Sequence, residues 1–137
     1  SKDYDQLQHS LALYSNIKFM GPVAPSEVRN YISSSKFAIN YIPDIEPFNK
    51  QTSTKLLEYA ACKVPVVSTR YEWVESFQQQ FGGDYFYLND DLSNFTWEAV
   101  SRFKYSFPDL SEWTWESQIR KSGILRFLSS RFPGVNW

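Results

Sequence analysis

The sequence predicts an α/β domain in which helices cover both faces of a parallel sheet. Short apolar runs of strand length alternate with helical runs along most of the chain, as FAINYI (37–42) precedes the helix-forming stretch 53–62. Glycine and proline mark the ends of several runs, for example at Gly21-Pro22 and Pro43. Strands joined through helices need crossover connections, which produce parallel strands and place helices on both faces.

The first part of the chain gives two helices and two strands. We predict the end of a helix at 7–14, a strand at 16–20, a helix at 26–34 and a strand at 37–42, followed by a polar loop at 44–52. Pro25 is favourable at a first helical position. The apolar faces of the two helices are expected to be Leu7, Leu11 and Tyr14 in the first and Val28, Tyr31 and Ile32 in the second.

The second part continues the alternation and then becomes helical. We predict a helix at 53–62, a strand at 64–68, a helix at 72–81, a strand at 84–88, a helix at 92–105 and a final helix from 111 or 112 to 131, broken near Gly123. Gly82-Gly83 separates the second of these helices from the last strand. These elements divide the chain into a sheet domain, 1–110, and a C-terminal helical extension, 111–137.

Composition narrows the classes of function. The chain has 137 residues and a net charge of −1 with no charged block, which argues against electrostatic binding of nucleic acid or anionic lipid. Its single cysteine, Cys62, allows no internal disulfide and suits a reducing compartment. A single histidine, His9, excludes a His/Cys metal cluster, so no metal site is predicted. The chain begins without an initiator Met, as a piece excised from a longer protein would.

The stretch QTSTKLLEYAACKVPVVS (51–68) is the most informative. Residues without bulky side chains, Thr52 to Thr54, lead into a helix, and free N–H groups at a helix N-terminus favour anions such as phosphate. Lys55 adds a positive charge, and Glu58 can accept hydrogen bonds from a pair of ribose hydroxyls. The predicted topology brings this helix start to the carboxyl ends of the strands, where ligands of such sheets bind.

Simpler interpretations exist for the same residues. Glu58 could be a solvated glutamate, or could form an ion pair with Lys55 within the helix. Asn40 could either face the site or serve the structure through hydrogen bonds. Tyr71 and Trp73 could stack on a ligand, although packing is favoured, and Cys62 is expected to be a buried filler.

Three segments together resemble a known family. NIKFMGPV, SSSKFAINYIP and STKLLEYAACKVPVVST are similar, in order and spacing, to the C-terminal half of GT-B glycosyltransferases of the group 1, family 4 type. The resemblance covers 7–88, with 55–69 as its specific part. It implies a Rossmann-like domain that binds a nucleotide-sugar donor, while an N-terminal GT-B domain holds the acceptor and the catalytic base. A strand, a helix and a second strand that normally precede position 7 in this half are absent from the chain.

Several site residues follow from the resemblance. Glu58 matches the ribose-binding glutamate, and Lys55 matches a lysine that contacts the diphosphate in some members. Ser53 and Thr54, next to Thr52, fall beside the phosphates. Two further residues, Gly21 and Val23, fall in a turn that meets the nucleobase.

The sequence departs from the family pattern at two positions. Lys50 stands where many members carry a glutamate that contacts the transferred sugar, and Asp44 or Glu46 could substitute for it. Both a retaining and an inverting reaction therefore stay open. Lys63 stands where members tend to have glycine, and a left-handed residue other than glycine there would cost on the order of 1 kcal/mol.

The resulting hypothesis is a hexosyltransferase-type donor domain that uses a UDP or GDP sugar as substrate and needs no cofactor. A glycan or lipid-linked acceptor and cytoplasmic work in polysaccharide biosynthesis are expectations from the family. The alternatives are an inactive GT-B-like scaffold, a regulatory α/β module and a nucleotide-sugar epimerase. A regulatory module of the receiver type would need an Asp pair at the ends of its first strands, and an epimerase would need extra His and Arg around the phosphates. This sequence has neither.

The C-terminal extension is amphipathic and has two interpretations. It could lie on a membrane surface as a basic amphipathic helix, giving peripheral membrane contact. We favour packing across the domain boundary, in which case absence of the partner half should leave apolar surface exposed. Its apolar residues are Trp113, Ile119, Leu125, Phe127 and Leu128, and its basic residues are Arg120, Lys121, Arg126 and Arg131.

Overall fold

The computed structural model describes residues 2–11 and 14–135. The helices are α1 (Lys2–Leu11), α2 (Pro25–Ser33), α3 (Thr54–Ala61), α4 (Glu72–Phe81), α5 (Trp97–Arg102), α6 (Trp115–Ser122) and α7 (Ile124–Arg131). The strands are β1 (Ala38–Asn40), β2 (Val66–Ser68) and β3 (Phe86–Tyr87), and short 3₁₀ segments lie at Phe48–Lys50 and Ser111–Trp113.

The three strands form one parallel sheet in the order β1-β2-β3. Each crossover contains a helix, α3 between the first pair and α4 between the second. The domain is therefore α/β and Rossmann-like, as predicted.

Helices pack on both faces of the sheet because neighbouring residues of a strand point to opposite sides. Val66 joins Leu56 of α3 and Val74 of α4 in one buried cluster. Val67, the next residue, joins Val100 of α5 in the other. The first of these clusters fixes α3 relative to the sheet through Leu56, which positions the candidate site described below.

The predicted strand at 16–20 is wrong. The structure assigns no strand there, and Ile17 and Met20 are 41% and 43% exposed. A strand needs a neighbour for its backbone hydrogen bonds, and no strand of the described sheet pairs with this segment.

The three observed strands are shorter than predicted because other partners take their flanking backbone groups. The N–H of Ile42 donates to the Thr69 hydroxyl at 2.9 Å, so β1 stops before it. The N–H of Val64 donates to the Tyr59 carbonyl at the end of α3. Asp84 forms an antiparallel bridge with Ser106 and lies outside β3.

The helix predicted at 92–105 is reduced to α5, residues 97–102. Polar side chains before it hold the chain in a turn: Asn94 Oδ1 accepts from Asn89 N–H, and Asp91 Oδ1 accepts from Ser93 N–H, both at 2.9 Å, and Leu92 between them is left-handed with a φ of 57°. Such local bonds compete with helix formation. The helix begins only after Thr96, whose hydroxyl accepts from Ala99 N–H.

Three other helical predictions need smaller changes. The first helix ends at Leu11, so Tyr14 lies outside it, and the predicted residues 12 and 13 fall outside the described part of the chain. Tyr31 is 45% exposed and lines a surface groove, although an inward position was predicted. The final helix is divided into α6 and α7 by Gly123, whose φ of 72° is left-handed and ends α6.

The C-terminal helices leave apolar side chains exposed, including Trp115 at 84% and Phe127 at 58%. Over the described residues, no helix has the length and apolar character needed to cross a bilayer.

Candidate functional site

The start of α3 is held by Ser53. Its hydroxyl accepts from Leu56 N–H at 3.2 Å and donates to Asn40 Oδ1 at 2.7 Å, so the side chain is buried and fully used. The N–H groups of Thr54 and Lys55 have no acceptor among the described residues. Two backbone donors at the positive end of the helix dipole therefore remain available to an anion.

A buried polar network connects this helix start to the sheet. Asn40, at the end of β1, donates through Nδ2 to the Ser68 hydroxyl at 3.0 Å and to the Tyr71 hydroxyl at 3.1 Å. Asn40 and Ser68 are fully buried, and Tyr71 and Ser53 nearly so. The network ties α3 to the carboxyl ends of β1 and β2. The structural interpretation of Asn40 is confirmed, since its side chain is shielded from solvent.

Lys55 and Glu58 lie on the exposed side of α3. They do not form the helical ion pair considered from the sequence, and neither pairs with another charged side chain among the described residues. Thr52 and Thr54 are also exposed, on either side of buried Ser53. The polar groups around this helix start are therefore accessible to a ligand.

A groove of about 370 Å³ runs between α2 and α3. Glu58 borders it from α3 and Arg29 from α2, while Val28 and Ile32 supply apolar wall. The volume lies within the range of small-ligand sites, which combine apolar walls with a few polar groups. Cys62 also lines this groove as a partly buried free thiol.

Two predicted residues, Gly21 and Val23, do not line this groove. Val23 lines a neighbouring groove that shares Val28 and Ile32 with the first. Gly21 has a left-handed φ of 65°, as its turn requires, and a Cβ built there would meet no atom within 4 Å. The structure therefore places Val23 in the neighbouring groove, and Gly21 in the lining of neither groove.

A second cleft, of about 550 Å³, opens at the carboxyl ends of the strands and is acidic. Arg70 lies in it with its guanidinium 4.4 Å from the Tyr87 ring centre and 3.1 Å from the Glu75 carboxylate. Four carboxylates border the cleft, namely those of Asp44, Glu72, Glu75 and Asp90. Because they outnumber the arginine, the net charge of this cleft is negative and disfavours anions, whereas Lys55 at the start of α3 has no carboxylate partner among the described residues.

Burial raises the pKa of Tyr87 beside this cleft to about 12, although the Arg70 charge acts in the opposite direction. The phenol is therefore neutral at pH 7 and donates to Gln78 Oε1 at 2.8 Å. The neutral Tyr87 ring and the ion-paired Arg70 guanidinium together form a polar surface at this edge of the sheet.

Asp44 and Glu46, the two carboxylates that could take the place of the family's sugar-binding glutamate, both lie in the loop before α3 and have different partners. Glu46 is paired with Lys50 at 2.6 Å. Asp44 accepts from Asn49 Nδ2 at 3.1 Å and borders the acidic cleft. Of the two, Asp44 is the carboxylate that faces a cavity.

Lys63 adopts the left-handed conformation that its position suggested, with a φ of 53°. Its N–H donates to the Ala60 carbonyl at 3.0 Å, just after Cys62 ends α3. The chain therefore tolerates a strain of about 1 kcal/mol at this turn.

The aromatic residues after β2 pack as favoured from the sequence. Tyr71 is 1% exposed, and the Trp73 ring stacks on Phe77 at 5.2 Å. Two cations, Arg29 and Arg70, were missed. Each arginine borders a cavity whose other walls come from distant parts of the sequence. The sequence around each arginine therefore gives no sign that it differs from a solvated surface arginine.

No group of three His, Cys, Asp or Glu side chains within residues 2–11 and 14–135 could hold a metal ion. The groups that converge on the start of α3 and its groove are instead backbone N–H donors, one lysine and one glutamate.

Comparison with known proteins identifies the family of the chain. A family model described as glycosyl transferase-like matches residues 2–128, which is most of the chain. No curated protein and no solved structure gives a significant match. The family implies transfer of a glycosyl group from a sugar donor to an acceptor. The chain belongs to the glycosyl transferase-like family, as a domain of the GT-B type.

Proposed function

We propose that this chain is the donor-binding domain of a glycosyltransferase and holds a nucleoside diphosphate sugar at the start of α3. One observation carries the proposal: among the described residues Lys55 and Glu58 form no ion pair, Lys55 lies beside free helix N–H groups, and Glu58 also borders a groove of about 370 Å³. An unpaired cation and anion one turn apart suit a ligand that combines phosphates with hydroxyls.

Each group has a role in this proposal. The N–H groups of Thr54 and Lys55 and the Lys55 ammonium bind the diphosphate. Glu58 accepts hydrogen bonds from the ribose hydroxyls, and the groove holds the base. Thr52 borders the phosphates, whereas Ser53 acts through the helix, because its own hydroxyl is already bonded to Asn40 and Leu56.

The chemistry assigned to these groups is electrostatic. An acceptor hydroxyl oxygen forms a bond to the anomeric carbon as the bond from that carbon to the diphosphate oxygen breaks. The leaving diphosphate gains negative charge, which Lys55 and the helix N–H groups stabilise. Glu58 holds the nucleoside, and so the anomeric carbon, in place. The acceptor, a glycan or lipid-linked glycan, loses its proton to a base outside this chain.

A second candidate function is a GT-B-like scaffold without activity. The Lys50–Glu46 ion pair favours it, because it occupies the position where the family resemblance expects a sugar-binding carboxylate. Such a scaffold would not need to bind a nucleotide. Nucleotide binding therefore separates the two candidates.

Calorimetric titration with UDP and GDP tests the proposal. We expect saturable binding of at least one, weakened roughly tenfold or more by Lys55→Ala and by Glu58→Gln, since hydrogen bonds to charged groups contribute about 1.5–3 kcal/mol. Lys104→Ala and Glu98→Gln are matched exposed controls that should leave the affinity unchanged. A folded chain that binds neither nucleotide would favour the scaffold.

A further inference from the structure

Arg29 and Glu58 border one groove from two different helices. Arg29 projects from α2 and Glu58 from α3, and both are exposed. They form no ion pair with each other, and neither has another charged partner among the described residues. Opposite charges that share a groove without touching leave polar groups free for a ligand between them.

The space around this pair is suited to a flat ring. Val28, Ile32 and Pro25 line the α2 side, and Ala61 lines the α3 side. A base that lies between these walls presents its edge, with its hydrogen-bonding groups, to the side chains at the rim. If Glu58 binds the ribose, Arg29 is the charged side chain left to meet the base.

We infer that Arg29 reads the nucleobase of the donor and selects a base with a carbonyl edge, guanine or uracil, against adenine. The inference rests on the proposed function. An arginine side chain has only hydrogen-bond donors, so it requires acceptors on the base. Guanine offers O6 and N7 side by side to the guanidinium fork, and uracil offers O4.

Adenine is disfavoured by the same chemistry. Its amino group stands where guanine has O6, so a donor on the base would meet a donor on the protein. The guanidinium would then have to turn away or lose a hydrogen bond. Arg29 therefore favours guanine over adenine through a single position on the base, where an oxygen replaces an amino group. This preference is independent of the phosphate contacts at Lys55.

The test compares the dissociation constants of GDP, UDP and ADP for the wild-type chain, Arg29→Ala and Arg29→Lys. We expect ADP to bind at least about tenfold more weakly than GDP and UDP. Arg29→Ala should reduce this preference to within about twofold while leaving ADP affinity nearly unchanged. Arg29→Lys, which keeps the charge but loses the fork, should remove any advantage of GDP over UDP.

The control is Arg102→Ala, which removes an exposed arginine that pairs with Glu98 outside the groove. It should leave all three constants unchanged. Binding of ADP as tight as that of GDP and UDP would overturn the inference and leave the proposed function intact. So would a base preference that survives in Arg29→Ala. If none of the three nucleotides binds, the proposed function fails and this inference fails with it.

Discussion

Replacement of Asn40 by alanine should destabilise the domain strongly, because Asn40 is at the centre of the buried network beneath the candidate site. Its amide makes three hydrogen bonds, to Ser53 at 2.7 Å, Ser68 at 3.0 Å and Tyr71 at 3.1 Å. At about 1 kcal/mol each, their loss amounts to about 3 kcal/mol. Ser68 keeps a bond to the Thr69 carbonyl, whereas the hydroxyls of Ser53 and Tyr71 lose their partner in the network.

Urea denaturation of the wild type and Asn40→Ala measures this difference in the free energy of unfolding. Since domains of this kind are stable by about 5–15 kcal/mol, the expected loss is readily detected. Asn30→Ala is the matched control: Asn30 is exposed on α2, and its change should stay within about 0.5 kcal/mol. A loss below about 1 kcal/mol for Asn40→Ala would refute the argument that this network holds α3 on the sheet.

Three further predictions concern stability and use the same denaturation assay. Lys63→Gly should raise the free energy of unfolding by about 1 kcal/mol by relieving a left-handed lysine at φ 53°; no gain would contradict this. Gly83→Ala should cost about 2 kcal/mol, because its Cβ would lie 3.1 Å from Pro108 at a φ of 93°, and more than Gly82→Ala, which meets no atom within 4 Å. Burial raises the pKa of Tyr87 from 10.0 to about 12, so the neutral phenol should stabilise the fold fully below pH 10 and lose this contribution between pH 10 and 12. Tyr87→Phe should therefore lose less free energy of unfolding than the wild type over this pH range. An equal alkaline loss in both chains would contradict the last prediction.

The elements that the sequence predicted best carry their own local signals. The helix at 72–81 has the observed bounds of α4, since an apolar stripe and Gly82-Gly83 define it. The helix at 53–62 was predicted to within one residue at each end of α3, and the two extra residues are its caps: the hydroxyl of Ser53, a favourable N-cap residue, accepts from the Leu56 N–H. The parallel sheet followed from the alternation of elements alone.

The errors occur where structure depends on distant partners. Residues 16–20 have strand composition, but no described strand pairs with them. The helix at 92–105 was predicted too long because composition does not show that Asn94 and Asp91 would capture backbone N–H groups. For the site, the order of the motif predicted Lys55 and Glu58 as candidates. The groove that adds Arg29 arises only when α2 packs against α3.

Amide chemical-shift mapping of the whole chain with GDP and UDP tests the central claim most directly. We predict saturable shifts that are largest at the N–H groups of Thr54 and Lys55 and continue along the groove between α2 and α3. These amides should respond because they bind the diphosphate themselves. Shifts centred on Arg70 and Asp90 in the acidic cleft, or no saturable shifts with either nucleotide, would contradict a donor site at the start of α3.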